Sequence, residues 1–445
     1  MNKELVINTS NLIKEAAVLN LLKKGVWLYF FLLIFEGALR KWFLPFLSTP
    51  LLIVRDPLAI WLIYYSWKHN VLKPNMYVLA MTFIVLLSFF ATLSFGHGNL
   101  KVAIFGVRVL IIHFPAMFII GKVFDKDDVI KMGKVLLLIC IPMVILIGLQ
   151  FYSPQSAWVN RGVGGDIEGA GFSGSMGYFR PPGTFSFTTG NVMFFSFVAC
   201  FVFYFWLAKI KINRIVLIAA TFGLLAAIPL SISRTLMFSI GVTLIFTLFS
   251  VASNPKFFLR MFVFVILGGM TLVLLSNLSF FQTATEAFTS RFEVASREEG
   301  GVSNSLIDRF FGGMIAALGA NDLPFFGYGL GMGTNAGAAM LLTKGKEMTF
   351  LISEQEWLRV VGEMGFVLGI LVLLIKVIFC ADISMKSYKS LKSGNLLPWL
   401  LLSFGLLVLI QGQWAQPTVL GFATLSGGLI LASAKKTTLK IEETE

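Results

Sequence analysis

The chain has 445 residues, 57% of them hydrophobic and only 13% charged, with a net charge of +13. Soluble domains carry about 25% charged residues, so this composition and a mean hydropathy of +0.83 exclude an ordinary soluble enzyme. Apolar runs of roughly 18 or more residues recur from end to end, the mark of transmembrane helices.

The residues before position 25 are polar, and the first apolar run ends in charge rather than in a small-residue cleavage site, so no cleavable leader is expected. The hydropathy predicts an all-α membrane protein, one polytopic domain over 1–445. About twelve spans are expected, at roughly 26–46, 49–67, 75–95, 101–121, 129–150, 187–208, 214–231, 234–252, 258–278, 355–376, 396–413 and 417–433. Cys140, Cys200 and Cys380 all fall inside these runs and offer neither a disulfide framework nor a metal cluster.

An even number of spans puts both termini on one side. If that side is the cytoplasm, its segments (1–25, 68–74, 121–134, 209–214, 253–260, 376–395 and 434–445) hold 22 basic and 9 acidic residues. The opposite side holds 14 of each, so the whole net charge lies on one face. This is positive-inside topology and not a nucleic-acid footprint. The kind of base differs too. Twenty of the 22 inner residues are Lys, whereas ten of the 14 outer ones are Arg, including Arg55, Arg108, Arg180, Arg234, Arg291 and Arg309. Lys suits a solvated loop. The planar Arg fork grips phosphate or carboxylate bidentately and tolerates burial. Glu36 and Arg40, at i and i+4, read as an ordinary ion pair.

Arg108 lies about two turns into the fourth span, roughly 10 Å from Lys101, and is a candidate substrate contact. DKDD (125–128) reads as a solvated helix start rather than a metal site, and His69, His97 and His113 are scattered. The first long outer loop, 151–186, ends in RPPGTF (180–185), which holds Arg180 beside a rigid Pro-Pro; a turn with a snorkelling Arg is the competing reading. SISRTLMFS (231–239) starts a span at Arg234 with no room for a solvated loop, so that charge is expected to face a polar cavity or, failing that, to anchor at the interface.

The second long outer loop, 279–353, carries Arg291 and Arg309 and then the glycine-rich FFGYGLGMGTNAG (325–337). Gly329 and Gly331 are candidates for letting backbone amides approach an anion. No βαβ unit surrounds them, so this is not a dinucleotide fingerprint. SEQEWLRVVGEMG (353–365) opens the tenth span. Ser353 and Glu356 read as a capping box, Arg359 and Glu363 as an ion-paired stripe, and Glu354 as a first-turn carboxylate facing the loop.

RPPGTF, SISRTLMFS, DRFFGGMIAALGANDLPFFGYGLG and SEQEWLRVVGEMGFVLG, in that order, together resemble the superfamily of O-antigen ligases and O-antigen polymerases. The match runs roughly from 175 to 370; the first five spans match in hydropathy only. The resemblance implies a GT-C-like helical fold and a large extracytoplasmic loop between spans 9 and 10. It implies metal-independent inverting transfer from an undecaprenyl-diphosphate-linked glycan to a glycan or lipid acceptor, in the bacterial plasma membrane with the active site extracytoplasmic, and no cofactor. Arg180, Arg234 and Arg309 would be its essential arginines. Ligases of the family carry His-Asn-x-Tyr-Leu where this chain has Glu354-Gln355-Glu356-Trp357-Leu358. Glu354 thus replaces the His as general base, which favours the polymerase type over the ligase. A lipid-linked glycan flippase is the alternative from another class. It calls for charges deep in the spans, and their near absence in the hydropathy pattern favours the enzyme.

Overall fold

The computed structural model describes residues 3–208, 210–252, 255–298, 312–319, 323–342 and 355–435. The amino-terminal half contains α1 (Lys3–Ala38), α2 (Ser48–Leu51), α3 (Arg55–Lys68), α4 (Met76–Ser94), α5 (Leu100–Ile111), α6 (His113–Val123) and α7 (Lys126–Tyr152). An antiparallel hairpin of β1 (Phe172–Ser175) and β2 (Tyr178–Arg180) follows. Beyond it come α8 (Thr188–Leu207), α9 (Arg214–Leu230), α10 (Arg234–Val251), α11 (Pro255–Ser276), α12 (Ser279–Glu298), α13 (Gly313–Leu318) and α14 (Asn335–Leu342). The last three helices are α15 (Glu356–Lys392), α16 (Leu397–Leu406) and α17 (Pro417–Ser433). Several helices begin at a side chain that caps an otherwise exposed amide. Asn75 accepts from the Tyr77 N–H, Asn99 from Lys101, Asn213 from Ile215 and Ser233 from Leu236.

Each of the twelve apolar runs contains helix, and the all-α membrane class stands. Among the described residues, eight helices are long and apolar enough to cross a membrane. The number is nine if Met261–Ser276 and Ser279–Val294, bent by 106°, form one span. Arg214–Leu230, Leu397–Gln411 and Pro417–Ser433 are shorter apolar helices. Seventeen residues rise about 25 Å, at the short end of what a span needs, so eight or nine helices qualify by length and composition against the expected twelve. On α4, Leu79, Phe83, Leu86 and Phe90 form an exposed apolar stripe at helical spacing, as a lipid-facing surface does. The α6–α17 contact is closed by small residues: a Cβ at Gly428 would stand 2.6 Å from Ile120 Cβ.

α15 departs furthest from its hydropathy pattern. Lys376 Nζ donates to Glu356 Oε1 at 3.0 Å, whereas a straight helix would hold residues twenty positions apart at about 30 Å. The chain folds back at Gly365, whose φ of 77° and ψ of 167° are not helical. The arms 356–364 and 366–392 then pack closely enough that a Cβ at Gly369 would reach within 2.7 Å of Val361 Cα. The span expected from 355 therefore starts after Gly365, and the residues before it form a short arm folded against it.

Candidate functional site

Two of the expected arginines, Arg180 and Arg291, come together at the β-hairpin, and the turn that precedes Arg234 packs against it. Phe172 pairs with Arg180 across the ladder, and the Arg180 guanidinium lies 4.6 Å from the Phe172 ring centre. Arg291 Nη1 donates to the Gly174 carbonyl at 3.3 Å, and Ser290 and Ser175 share a hydroxyl hydrogen bond of 3.0 Å, which fastens α12 to β1. A Cβ at Gly174 would stand 2.8 Å from Ile232 Cδ1 and 3.5 Å from Arg180 Cγ. The turn before α10 therefore packs on the same point. In that turn Ile232 is held at a φ of 46°, an outlier for a β-branched residue. Ser233 caps the helix, and buried Arg234 is its first residue.

Thr235, the next residue, lines a cavity of about 260 Å³ between α8, α10 and α16. Its wall is mostly apolar, from Val192, Met193, Phe238, Phe404 and Leu407, with Ser196, Ser239 and Gln411 as polar points. Gln411 Nε2 donates to the Met314 sulfur at 3.2 Å, which brings α13 to the cavity wall. Gln355 sits against α13 as well, since a Cβ at Gly313 would lie 3.0 Å from its Cβ. Glu354 and Arg309 themselves lie outside the described residues.

The glycine-rich loop is engaged within the protein. The Tyr328 and Gly329 amides donate to the carbonyls of Gly362 and Glu363 at 2.8 and 3.0 Å. The Leu330 amide donates to Thr92 Oγ1, and the Gly333 amide donates to Glu363 Oε1 at 2.8 Å. Gly331, at a φ of 86°, is pressed between α5 and the loop: a Cβ there would stand 3.0 Å from the Gly106 nitrogen. The glycines let backbone approach backbone, and the anion that the loop holds is Glu363. Arg108, expected to contact substrate, is buried. It gives one fork arm to Asp56 at 2.7 Å and lies 3.9 Å from the Phe105 ring centre.

The ion-paired stripe expected of Arg359 and Glu363 forms in the α15 fold-back, whereas Lys376 and Trp414, which complete its buried polar core, escaped the sequence reading. Arg359 bonds Glu356 through Nε and Nη2, both at 3.0 Å, and Glu363 through Nη1 at 2.7 Å. Glu356 also accepts from the Trp414 backbone amide at 3.0 Å, and Lys376 Nζ lies 4.0 Å from the Trp414 ring centre. Two carboxylates, one guanidinium and one ammonium thus balance in a dry setting. Ser353, the expected cap, lies outside the described residues; Gln355 holds the N-cap position, Glu356 opens the helix as the centre of an ion network, and Lys376, counted with the solvated lysines, is buried. The reading that deep charge was nearly absent is corrected accordingly. Two more buried groups sit near the same end. Glu36 bonds Arg40 and Arg55, each at 3.2 Å, and Asp56 bonds His113 at 2.9 Å as well as Arg108. The i, i+4 spacing announced Glu36–Arg40 and Arg359–Glu363. Spacing offers no comparable signal for Lys376–Glu356 or Arg108–Asp56.

No family model matches the chain, and no curated protein matches it. The functional reading therefore rests on the site itself.

Proposed function

We propose that this protein is a metal-independent inverting glycosyltransferase of the O-antigen or exopolysaccharide polymerase type. It acts on a glycan linked to undecaprenyl diphosphate at the extracytoplasmic face of the bacterial plasma membrane, with both termini cytoplasmic. The observation that carries the reading is the convergence of Arg180, Arg291 and the Arg234 turn on Gly174, with an apolar cavity beginning at Thr235. A lipid diphosphate needs that pairing of cationic forks with an apolar slot.

The chemistry follows from charge. A diphosphate leaves readily once its negative charge is neutralised, and fixed guanidinium groups supply that neutralisation. The acceptor hydroxyl attacks the anomeric carbon as the bond to the diphosphate breaks, and its proton passes to a base. Glu354 is the proposed base; its neighbour Gln355 lies beside α13 at the cavity wall. Arg309 is proposed as a further diphosphate contact. An O-antigen ligase would differ in its acceptor.

A lipid-linked glycan flippase is the second reading, and the buried charges of the α15 fold-back favour it. Purified protein in vesicles, given lipid-linked donor and acceptor glycan, separates the two. The enzyme lengthens the glycan covalently, and the Glu354→Gln variant loses about 10²–10⁴ in turnover with donor binding retained. A donor that changes leaflet with no new glycosidic bond sinks the transferase reading.

A further inference from the structure

At the opposite, lysine-rich end of the bundle lies a cleft that the proposed chemistry does not use. Two cavities of about 460 and 300 Å³ share Lys386 and Lys435 as common wall. Lys126 and Lys389 complete the first, and Lys73 and Lys122 the second. Among the described residues of these walls the acidic side chain is Asp382, which is paired with Lys386 at 2.8 Å. Asp125 and Asp128 nearby are paired with Lys23. Lys435 is fixed in place: its ammonium donates to the Lys122 and Phe124 carbonyls at 2.6 and 2.7 Å, at the end of α6. Burial above all, and then the neighbouring Lys122, push the Lys435 ammonium down to about 8 against the opposing pull of Asp125.

The second cavity is also apolar, with Leu72, Phe118, Phe379 and Leu431 in its wall. The cleft therefore offers ammonium groups beside hydrocarbon, at the ends of helices long enough to span a bilayer. We propose that it binds an acidic glycerophospholipid, its phosphate among Lys386, Lys389, Lys126 and Lys435 and an acyl chain along Phe118 and Phe379. A free phosphate would use the lysines and leave the apolar wall unfilled.

The test uses full-length protein in neutral detergent, with mixed micelles of phosphatidylglycerol, mixed micelles of phosphatidylcholine, or inorganic phosphate alone. Lipid retention is read by native mass spectrometry and melting temperature by thermal unfolding. Phosphatidylglycerol should be retained and should raise the melting temperature, while phosphatidylcholine does neither. A Lys126→Gln, Lys386→Gln, Lys389→Gln variant should retain it on the order of a hundredfold more weakly. The charge-matched control Lys14→Gln, Lys24→Gln, Lys131→Gln, altered at lysines outside these walls, should behave as wild type. Equal retention of both lipids overturns the proposal. So does an equal loss in the control, which would leave only a diffuse positive field. A full thermal shift from inorganic phosphate alone overturns it in favour of a lipid-free anion site.

Discussion

Lys376 Nζ and Glu356 Oε1 lie 3.0 Å apart although both belong to one apolar stretch of sequence. The pair is almost wholly removed from solvent. Its partners matter more than its own attraction, because desolvation offsets much of the Coulomb energy of a buried pair. Removing one partner leaves a bare charge. Lys376→Met is expected to destabilise the protein by about 3–5 kcal/mol, and Glu356→Gln by a similar amount. The double variant should be more stable than the sum of the two losses implies. Thermal unfolding of all three in one detergent checks this, and strict additivity would show that the two side chains do not interact.

Gly365 makes the fold-back possible. At a φ of 77° and ψ of 167° any Cβ is strained, and one at this position would also run into the Phe325 carbonyl. Gly365→Ala should cost at least about 3 kcal/mol and abolish activity. Gly394→Ala, which also has positive φ but open space around it, should cost about 1 kcal/mol. Comparable melting temperatures for the two variants would contradict the packing described.

The arginines of the proposed site are tested by keeping their charge and removing their fork. Arg180→Lys and Arg234→Lys should each lose most transfer activity while inserting normally, since Lys cannot hold a diphosphate bidentately. Full activity in both would show that a point charge suffices.

Orientation is open to direct labelling. Exposed Ser173 in the hairpin and exposed Ser393 at the end of α15 stand at opposite ends of the bundle. A cysteine at position 173 should react with a membrane-impermeant reagent in intact cells, and one at position 393 should not. Reversed labelling would turn the proposed active site to the cytoplasm.

Asp125 supplies a pH dependence. Burial raises its carboxyl, but the Asp128 amide and the Lys23 ammonium outweigh that and hold it below the usual carboxylate range. The folded value is thus below the unfolded one of about 3.9. The stability it contributes is complete above that value and disappears as pH falls through the folded value. Melting temperature should fall as pH drops below about 4, and part of that fall should be missing in Asp125→Asn. An identical fall in the variant would place the acid sensitivity elsewhere.

Hydropathy made the helices legible because length and apolarity are local properties. The caps Asn75, Asn99 and Ser233 at the starts of α4, α5 and α10 emerged from the structure. The fold-back was not, because glycine at position 365 interrupts neither apolarity nor helical spacing. Lys376 reads like any lysine near the end of a span until its partner twenty residues earlier is brought to it. The glycines of 325–337 advertised close approach without saying to what. Their neighbours turned out to be the α5 backbone and Glu363. At the hairpin, the excess of Arg over Lys pointed to Arg180, Arg234 and Arg291, but the meeting of Arg180, Arg291 and the Ile232 turn at Gly174 depends on the packing of segments far apart in the chain.

The short arm of α15 also constrains the order in which the molecule is assembled. It carries Glu356, Arg359 and Glu363, and an isolated charge at the centre of a bilayer costs about 2.5–3.5 kcal/mol or more. Such a segment does not enter hydrocarbon alone. One of the amides that receives Glu356 belongs to Trp414, 58 residues further along. The arm's buried setting is therefore complete only when the turn after α16 is in place.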